Sequence, residues 1–145
     1  MKRLLLVAFL SLALSAQCTK AAPACALSDA EFATALRTLK SWQAISHFHR
    51  EHFPPCPDDG MYAEGYSDLI VRTLAMHWGK IHELSNETKA RPAFLQFVLK
   101  HIDASADPTQ LKKVQRRATT QCPSGHTELC KTLSKSAQAA LAELR

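Results

Sequence analysis

Apolar side chains recur every three to four residues along most of the chain, which is the spacing of one face of an α-helix. The alternation of apolar and polar residues that marks a half-buried strand does not recur. Helix start signals accompany this spacing. Ser28 and Glu31 form a capping box, and Asp107-Pro108 places an acidic N-cap before a proline in the first turn. The pattern therefore predicts an all-α chain.

The residues that interrupt the apolar stripes divide the pattern into about five helices. The first stripe shifts near Trp42, which predicts a kink or a break there, and Gly65 and Gly79 within the second favour close packing or a local bend. The predicted helices run from Ser28 to Pro54-Pro55, from Met61 to Leu84, from Pro92 to Ser105, from Asp107 to Cys122, and from after Gly125 into the C-terminal tail.

Neither an internal repeat nor a long linker divides residues 25–145, so the sequence predicts a single helical domain. The expected architecture is a compact bundle of about five helices with short turns, stapled by up to two disulfides. The composition supports a packed core, because 46% of the 145 residues are hydrophobic and only 21% are charged.

The N-terminus has the pattern of an export signal. Lys2-Arg3 precedes an apolar run from Leu4 to Ala16, and small residues suited to cleavage precede both Ala22 and Cys25. Residues 1–24 are therefore predicted to be a cleavable signal peptide. The alternatives are a retained membrane anchor and lipidation at Cys18. The prediction is a periplasmic or secreted protein with no membrane span after cleavage.

Cleavage at either site removes Cys18 and leaves an even number of cysteines. In an exported chain these are expected to form up to two disulfides. The spacing favours Cys122 with Cys130, across a Pro-Ser-Gly turn, and Cys25 with Cys56, while a crossed pairing stays open.

Cleavage of the predicted signal peptide also changes the net charge of the chain. The formal net charge of +5 includes Lys2, Arg3 and Lys20, and 15 basic and 13 acidic residues remain without them. Nucleic acid is therefore not an expected partner. The one tight basic cluster is interpreted as a solvated helix face and consists of Lys112, Lys113, Arg116 and Arg117.

Histidines near the end of the first helix are candidate metal ligands. His47, His49 and His52 lie close together in sequence, and on a helix His49 and His52 share a face while His47 does not. We favour a polar helix end, which imidazolium groups stabilise, and keep a periplasmic metal-binding protein as the alternative function. His101 lies on an apolar stripe and is expected to be a hydrogen-bonded core histidine. No cofactor is predicted.

The sequence contains no pattern typical of an enzyme. Nucleophilic catalysis is often marked by a glycine-rich elbow, and neither such an elbow nor a phosphate-binding loop is present. The acidic pairs Asp58-Asp59 and Glu64 with Asp68 are interpreted as helix caps and surface charges. A small hydrolase using the 58–68 segment is the least favoured alternative.

The remaining candidate is a surface that binds a protein partner. Met61, Tyr62 and Tyr66 follow a rigid turn from Pro54 to Gly60 that carries one cysteine, and anchored aromatic residues are common in interface hot spots. These three residues are the candidates for the partner-binding site. We favour the alternative, which places both tyrosines in the core with their hydroxyls in contact with water.

The segment from Tyr62 to Asp68, with Gly65-Tyr66 at its centre, resembles the aromatic, Gly-Tyr and Asp helix of the small periplasmic immunity proteins of the Rap/Tai type. A later Cys-Pro, at Cys122, adds to the resemblance. Those proteins are exported and all-helical, and they neutralise peptidoglycan-cleaving effectors. The resemblance implies a non-catalytic immunity protein or inhibitor, and no functional residue is transferred from the family.

Overall fold

The computed structural model describes residues 24–145, so the predicted signal peptide, including Cys18, lies outside the described residues except for Ala24. The all-α class is confirmed for this part, whose regular elements are all helical. None of its helices combines the length and the apolar character needed to cross a bilayer. The helices are α1 (Asp29–Thr38), α2 (Trp42–His52), α3 (Gly60–Met76), a 3-10 helix (Trp78–Lys80), α4 (Ile81–Ala90), α5 (Pro92–Lys100), α6 (Pro108–Thr120) and α7 (Thr127–Glu143).

The predicted number of about five helices is too low, and the first reason is a break between α1 and α2. The backbone becomes extended at Leu39. Ser41 then caps α2, because its hydroxyl accepts a hydrogen bond from the Ala44 N–H at 3.1 Å. Trp42, at the start of α2, is 1% exposed. The break thus allows the large ring to enter the core, at the position where the apolar stripe shifts.

The second reason is a break between α3 and α4, which the sequence predicted to be one helix. Trp78 in the 3-10 helix is buried, and its indole N–H donates a hydrogen bond to the Gln121 carbonyl at 2.8 Å. This bond ties the break to the end of α6. The other end points also differ from the prediction, since α4 extends past Leu84 and α5 ends before Ser105.

One hydrophobic cluster connects all the α-helices, and α3 contributes more buried residues to it than any other described helix. Leu69, Ile70 and Leu74 of α3 have essentially no exposed surface. α6 packs along α7 and against α3, which buries Leu111 and Leu133 between them. The N-terminal half of α3 lies against α1, and this contact positions the loop described below.

Two disulfides join the four described cysteines. Cys25 pairs with Cys56 and Cys122 with Cys130, which is the pairing favoured by the spacing in the sequence. Cys56 and Cys130 are almost fully buried. Intramolecular disulfides of this kind indicate that the chain folds in an oxidising, exported environment.

The contact between α1 and α3 depends on Gly65. A Cβ atom at this position would lie 2.7 Å from Cε1 of Phe32 and 2.8 Å from Cδ1 of Leu36. Phe32 is 1% exposed and is held by neighbouring rings, so it cannot move aside freely. We expect Gly65→Ala to lower the free energy of unfolding by about 1–2 kcal/mol, since the overpacking outweighs the gain in helix propensity.

Gly79 provides the matched control, because a Cβ atom there would meet no atom within 4 Å. Gly79→Ala should leave stability unchanged or raise it by up to about 1 kcal/mol. Urea unfolding of both variants tests the contact, and equal effects at the two positions would show that α1 does not approach α3 this closely.

Candidate functional site

The candidate site is built on the loop between α2 and α3, residues 53–60, which is fixed at both ends. Its first residue, Phe53, is buried and packs edge-on against Tyr66 with ring centroids 5.0 Å apart. Cys56 is joined to Cys25 and its N–H donates to the His52 carbonyl at 2.7 Å. The loop therefore has little freedom to change shape.

The structure distributes the three predicted partner-binding residues differently from the prediction. Met61 is 46% exposed at the start of α3. Tyr62 is half-buried, and its hydroxyl donates to the Leu27 carbonyl at 3.0 Å. Tyr66 is 0% exposed and is surrounded by aromatic rings, so its selection as a contact residue is wrong. Only Met61, with part of Tyr62, can face a partner.

Asp58 anchors the exposed half of the loop to the end of α5. Its Oδ2 atom lies 2.6 Å from Lys100 Nζ, and its Oδ1 atom lies 3.1 Å from His101 Nε2. The second contact has ion-pair distance without the alignment of a hydrogen bond. Asp59 is the N-cap residue of α3, but its side chain makes no cap hydrogen bond. Asp58 thus does not act as the helix cap that the sequence predicted, and instead contacts Lys100 and His101.

His101 continues this tie into the core, where it contacts Ser67 of α3. His101 Nδ1 lies 3.2 Å from the Ser67 hydroxyl, which donates to Asp103 Oδ2 at 2.8 Å. Asp103 Oδ1 in turn accepts hydrogen bonds from the Ser105 N–H and hydroxyl. A chain of polar groups thus runs from the loop through α3 to the turn after α5, and His101 is the buried, hydrogen-bonded core histidine that the sequence predicted.

The order Asp58, His101, Ser67 resembles the acid, base and nucleophile of a hydrolase, but the arrangement does not expose a nucleophile. Ser67 and His101 are both 0% exposed, so a substrate cannot reach the hydroxyl. The Ser67 hydroxyl also has two other acceptors within hydrogen-bond distance, Asp103 Oδ2 and the Ala63 carbonyl, so its proton is not directed to the imidazole alone. We conclude that these residues position the loop and α5.

Burial sets the protonation of the histidines in this region. Loss of solvent lowers the pKa of His101, although the nearby carboxylate of Asp58 opposes the shift. The pKa of His49, whose ring lies 3.8 Å from that of Phe97, is lowered mainly for the same reason. Burial also raises the pKa of Tyr66 well above its usual value. Both histidines are therefore neutral at pH 7.

At Asp103, hydrogen bonds affect the pKa more than burial does. Burial by itself would raise the pKa of this carboxyl group, but hydrogen bonds from Ser105 and Ser67 outweigh it, and the pKa lies below its usual value. Asp103 is therefore ionised at pH 7 and accepts the bonds that hold the turn after α5.

These shifts predict that stability falls on mild acidification. Well above the ordinary histidine pKa of about 6.5, His49 and His101 are neutral in both the folded and the unfolded state. Below it the unfolded chain binds protons that the folded chain rejects, so the free energy of unfolding decreases between about pH 6.5 and 5. Urea unfolding at pH 7.5 and pH 5 measures this decrease.

His49→Leu should reduce the loss of stability between pH 7.5 and pH 5. His47→Leu, at an exposed residue, should leave that loss unchanged. Stability that is constant or higher at pH 5 would contradict the lowered pKa of His49 and His101.

The predicted metal ligands do not converge. His47 Nδ1 lies 3.1 Å from Glu51 on the surface, His49 packs on Phe97, and His52 lies against Phe48. No group of three or more His, Cys, Asp or Glu side chains within residues 24–145 is arranged to hold a metal ion. The fold thus gives each histidine a separate neighbour.

Comparisons with family models, with curated proteins and with solved structures found no match.

Proposed function

We propose that the protein is an exported, non-catalytic binding protein of the periplasm or the secreted fraction, and that residues 53–61 contact a protein partner. We infer that it acts as an immunity protein or inhibitor of a toxin or hydrolase in the same compartment. The observation that carries the proposal is the anchoring of this loop at three points, by Phe53, by Cys56 and by Asp58, while Met61 stays exposed.

A loop fixed in this way suits binding, because it loses little conformational entropy when a partner docks. Met61 supplies an adaptable apolar contact, and the exposed Asp59 beside it supplies a negative charge. The polar residues with the arrangement closest to a catalytic one, Ser67 and His101, are buried. This supports binding over turnover.

Two further observations support the compartment and the class of partner. The disulfides agree with export, as does the predicted signal peptide. The resemblance of the Tyr62 to Asp68 segment to the Rap/Tai-type immunity proteins supports a peptidoglycan-cleaving effector as the partner to test first.

The test mixes the exported, folded protein with peptidoglycan-cleaving effectors encoded next to its gene. Calorimetry should show one-to-one binding, and hydrolysis by the effector should stop. Met61→Asp should weaken the binding about tenfold or more, as expected for an interface anchor. Leu144→Asp is the matched control, since Leu144 is 45% exposed at the other end of the chain.

Failure to bind any such effector, with a folded and monodisperse protein, would reject the proposed function. If Met61→Asp and Leu144→Asp weaken the binding equally, the protein binds an effector but the loop is not part of the interface.

A further inference from the structure

The helical hairpin of α6 and α7 carries a charge that the proposed function does not use. Residues 108–145 contain seven Lys and Arg and two acidic residues, whereas residues 24–107 contain eight Lys and Arg and eleven acidic residues. α6 itself contains four cationic side chains and no acidic one. The positive charge of the mature chain is therefore concentrated on this hairpin.

Five cations of the hairpin line two surface depressions. Lys112, Lys113 and Arg116 line one shallow depression on α6. Lys131 and Lys135 of α7 line a second groove, between the two helices. Thr119 of α6, which follows Arg116 by one helical turn, also borders this groove. We call these five residues the cationic face, which consists of Lys112, Lys113, Arg116, Lys131 and Lys135.

The cationic face is not neutralised from within the described part of the chain. None of its five side chains lies within ion-pair distance of an acidic residue in residues 24–145. Lys113 Nζ lies instead 3.4 Å from the sulfur atom of Met76, which is 57% exposed at the end of α3. The surface thus consists of unpaired cations beside one exposed thioether.

We propose that the cationic face docks the protein on a bilayer that contains anionic phospholipids. Lys and Arg side chains gain free energy near phosphate headgroups one by one, without a shaped pocket. A tight protein interface requires buried aromatic or apolar anchors instead, and among residues 24–145 the large exposed apolar side chain that the structure places against this face is Met76, in contact with Lys113. An anionic lipid surface therefore fits the face better than an acidic protein does.

Docking of this kind is peripheral and electrostatic. Five cations give reversible adsorption that weakens steeply with salt, since counterions screen exposed charges within a few ångströms at high ionic strength. The inference goes beyond the proposed protein-binding function and does not rest on it, because it uses a different surface and a different ligand chemistry.

The experiment measures co-sedimentation of the exported, purified protein with vesicles of phosphatidylcholine alone or of phosphatidylcholine with 30% phosphatidylglycerol. Binding is expected with the anionic vesicles at about 50 mM salt, should disappear at about 0.5 M salt, and should be absent with phosphatidylcholine alone. Lys112→Glu with Arg116→Glu should lower the partition coefficient by about thirtyfold or more, as expected for two cations at the headgroups.

A second double variant, Lys131→Glu with Lys135→Glu, should have a similar effect. The matched control is Arg50→Glu with Lys89→Glu, which makes the same charge change at exposed residues outside the hairpin and should retain most of the binding.

Three results would overturn the proposal. They are absence of binding to the anionic vesicles at low salt, equal binding to neutral vesicles, and an equal loss in the control variant. Binding to soluble poly-glutamate without binding to vesicles would likewise replace the bilayer with an acidic polypeptide as the ligand. Vesicle binding and effector binding are measured separately, so failure of either proposal leaves the other standing.

Discussion

Preventing both disulfides lowers the free energy of unfolding by several kcal/mol, and this is the largest effect that we expect. Cys25 and Cys56 are 31 residues apart and Cys122 and Cys130 are 8 apart. Chain-entropy arguments for closed loops of these lengths give about 3.7 and about 2.5 kcal/mol. Thermal melting of the oxidised protein, and of the protein with all four cysteines replaced by serine, measures the difference.

The two bridges can be separated with paired variants. Replacing Cys25 and Cys56 by serine should destabilise more than replacing Cys122 and Cys130, because the first bridge closes the longer loop. The first pair should also release residues 53–60 and weaken partner binding. A melting temperature that is unchanged after reduction would contradict the role that we give to the bridges.

Truncation of Tyr66 gives the second large effect. This side chain is fully buried, and its ring packs edge-on against Phe32, Phe53 and Phe97. Tyr66→Ala should lower the free energy of unfolding by about 3–5 kcal/mol, since it removes buried apolar surface and leaves a cavity. Urea unfolding followed by circular dichroism measures the change.

Tyr66→Phe is the control that separates the ring from its hydroxyl group. The hydroxyl is buried and has no hydrogen-bond partner among residues 24–145, so its removal should be neutral or should stabilise by about 1 kcal/mol. A loss of more than about 1 kcal/mol in this variant would show that the hydroxyl is hydrogen-bonded in solution and that the polar chain around Asp58 extends to it.

Features encoded by neighbouring residues could be predicted from the sequence. The Ser28 and Glu31 capping box is present with both of its hydrogen bonds, and Asp107 accepts from the Gln110 N–H at the start of α6. The helical class follows from the same local patterns. The break before Trp42 was signalled by a shift in the apolar stripe, because a helix cannot keep two such stripes on one core.

Features set by distant residues could not be predicted. The break after α3 depends on the bond from Trp78 to Gln121, 43 positions away. The anchoring of Asp58 depends on Lys100 and His101, which share no spacing pattern with it. These interactions form only when the helices pack together, so the spacing of apolar residues along the chain does not predict them.

The burial of Tyr66 is an intermediate case. Its place on the apolar stripe of α3 indicated a core residue, while its position after a rigid turn indicated an exposed one. The structure buries Tyr66, so its position on the apolar stripe of α3 was the better indicator.

The central claim, an exported, disulfide-bonded and metal-free binding protein, is tested most directly by mass spectrometry. The protein is exported, purified without chelator or reductant, and measured in native and denaturing conditions. We predict a chain that begins near Ala22 or Cys25, weighs four hydrogens less than the reduced chain, and carries no metal. Free thiols, a retained divalent metal ion or an uncleaved N-terminus would contradict the account.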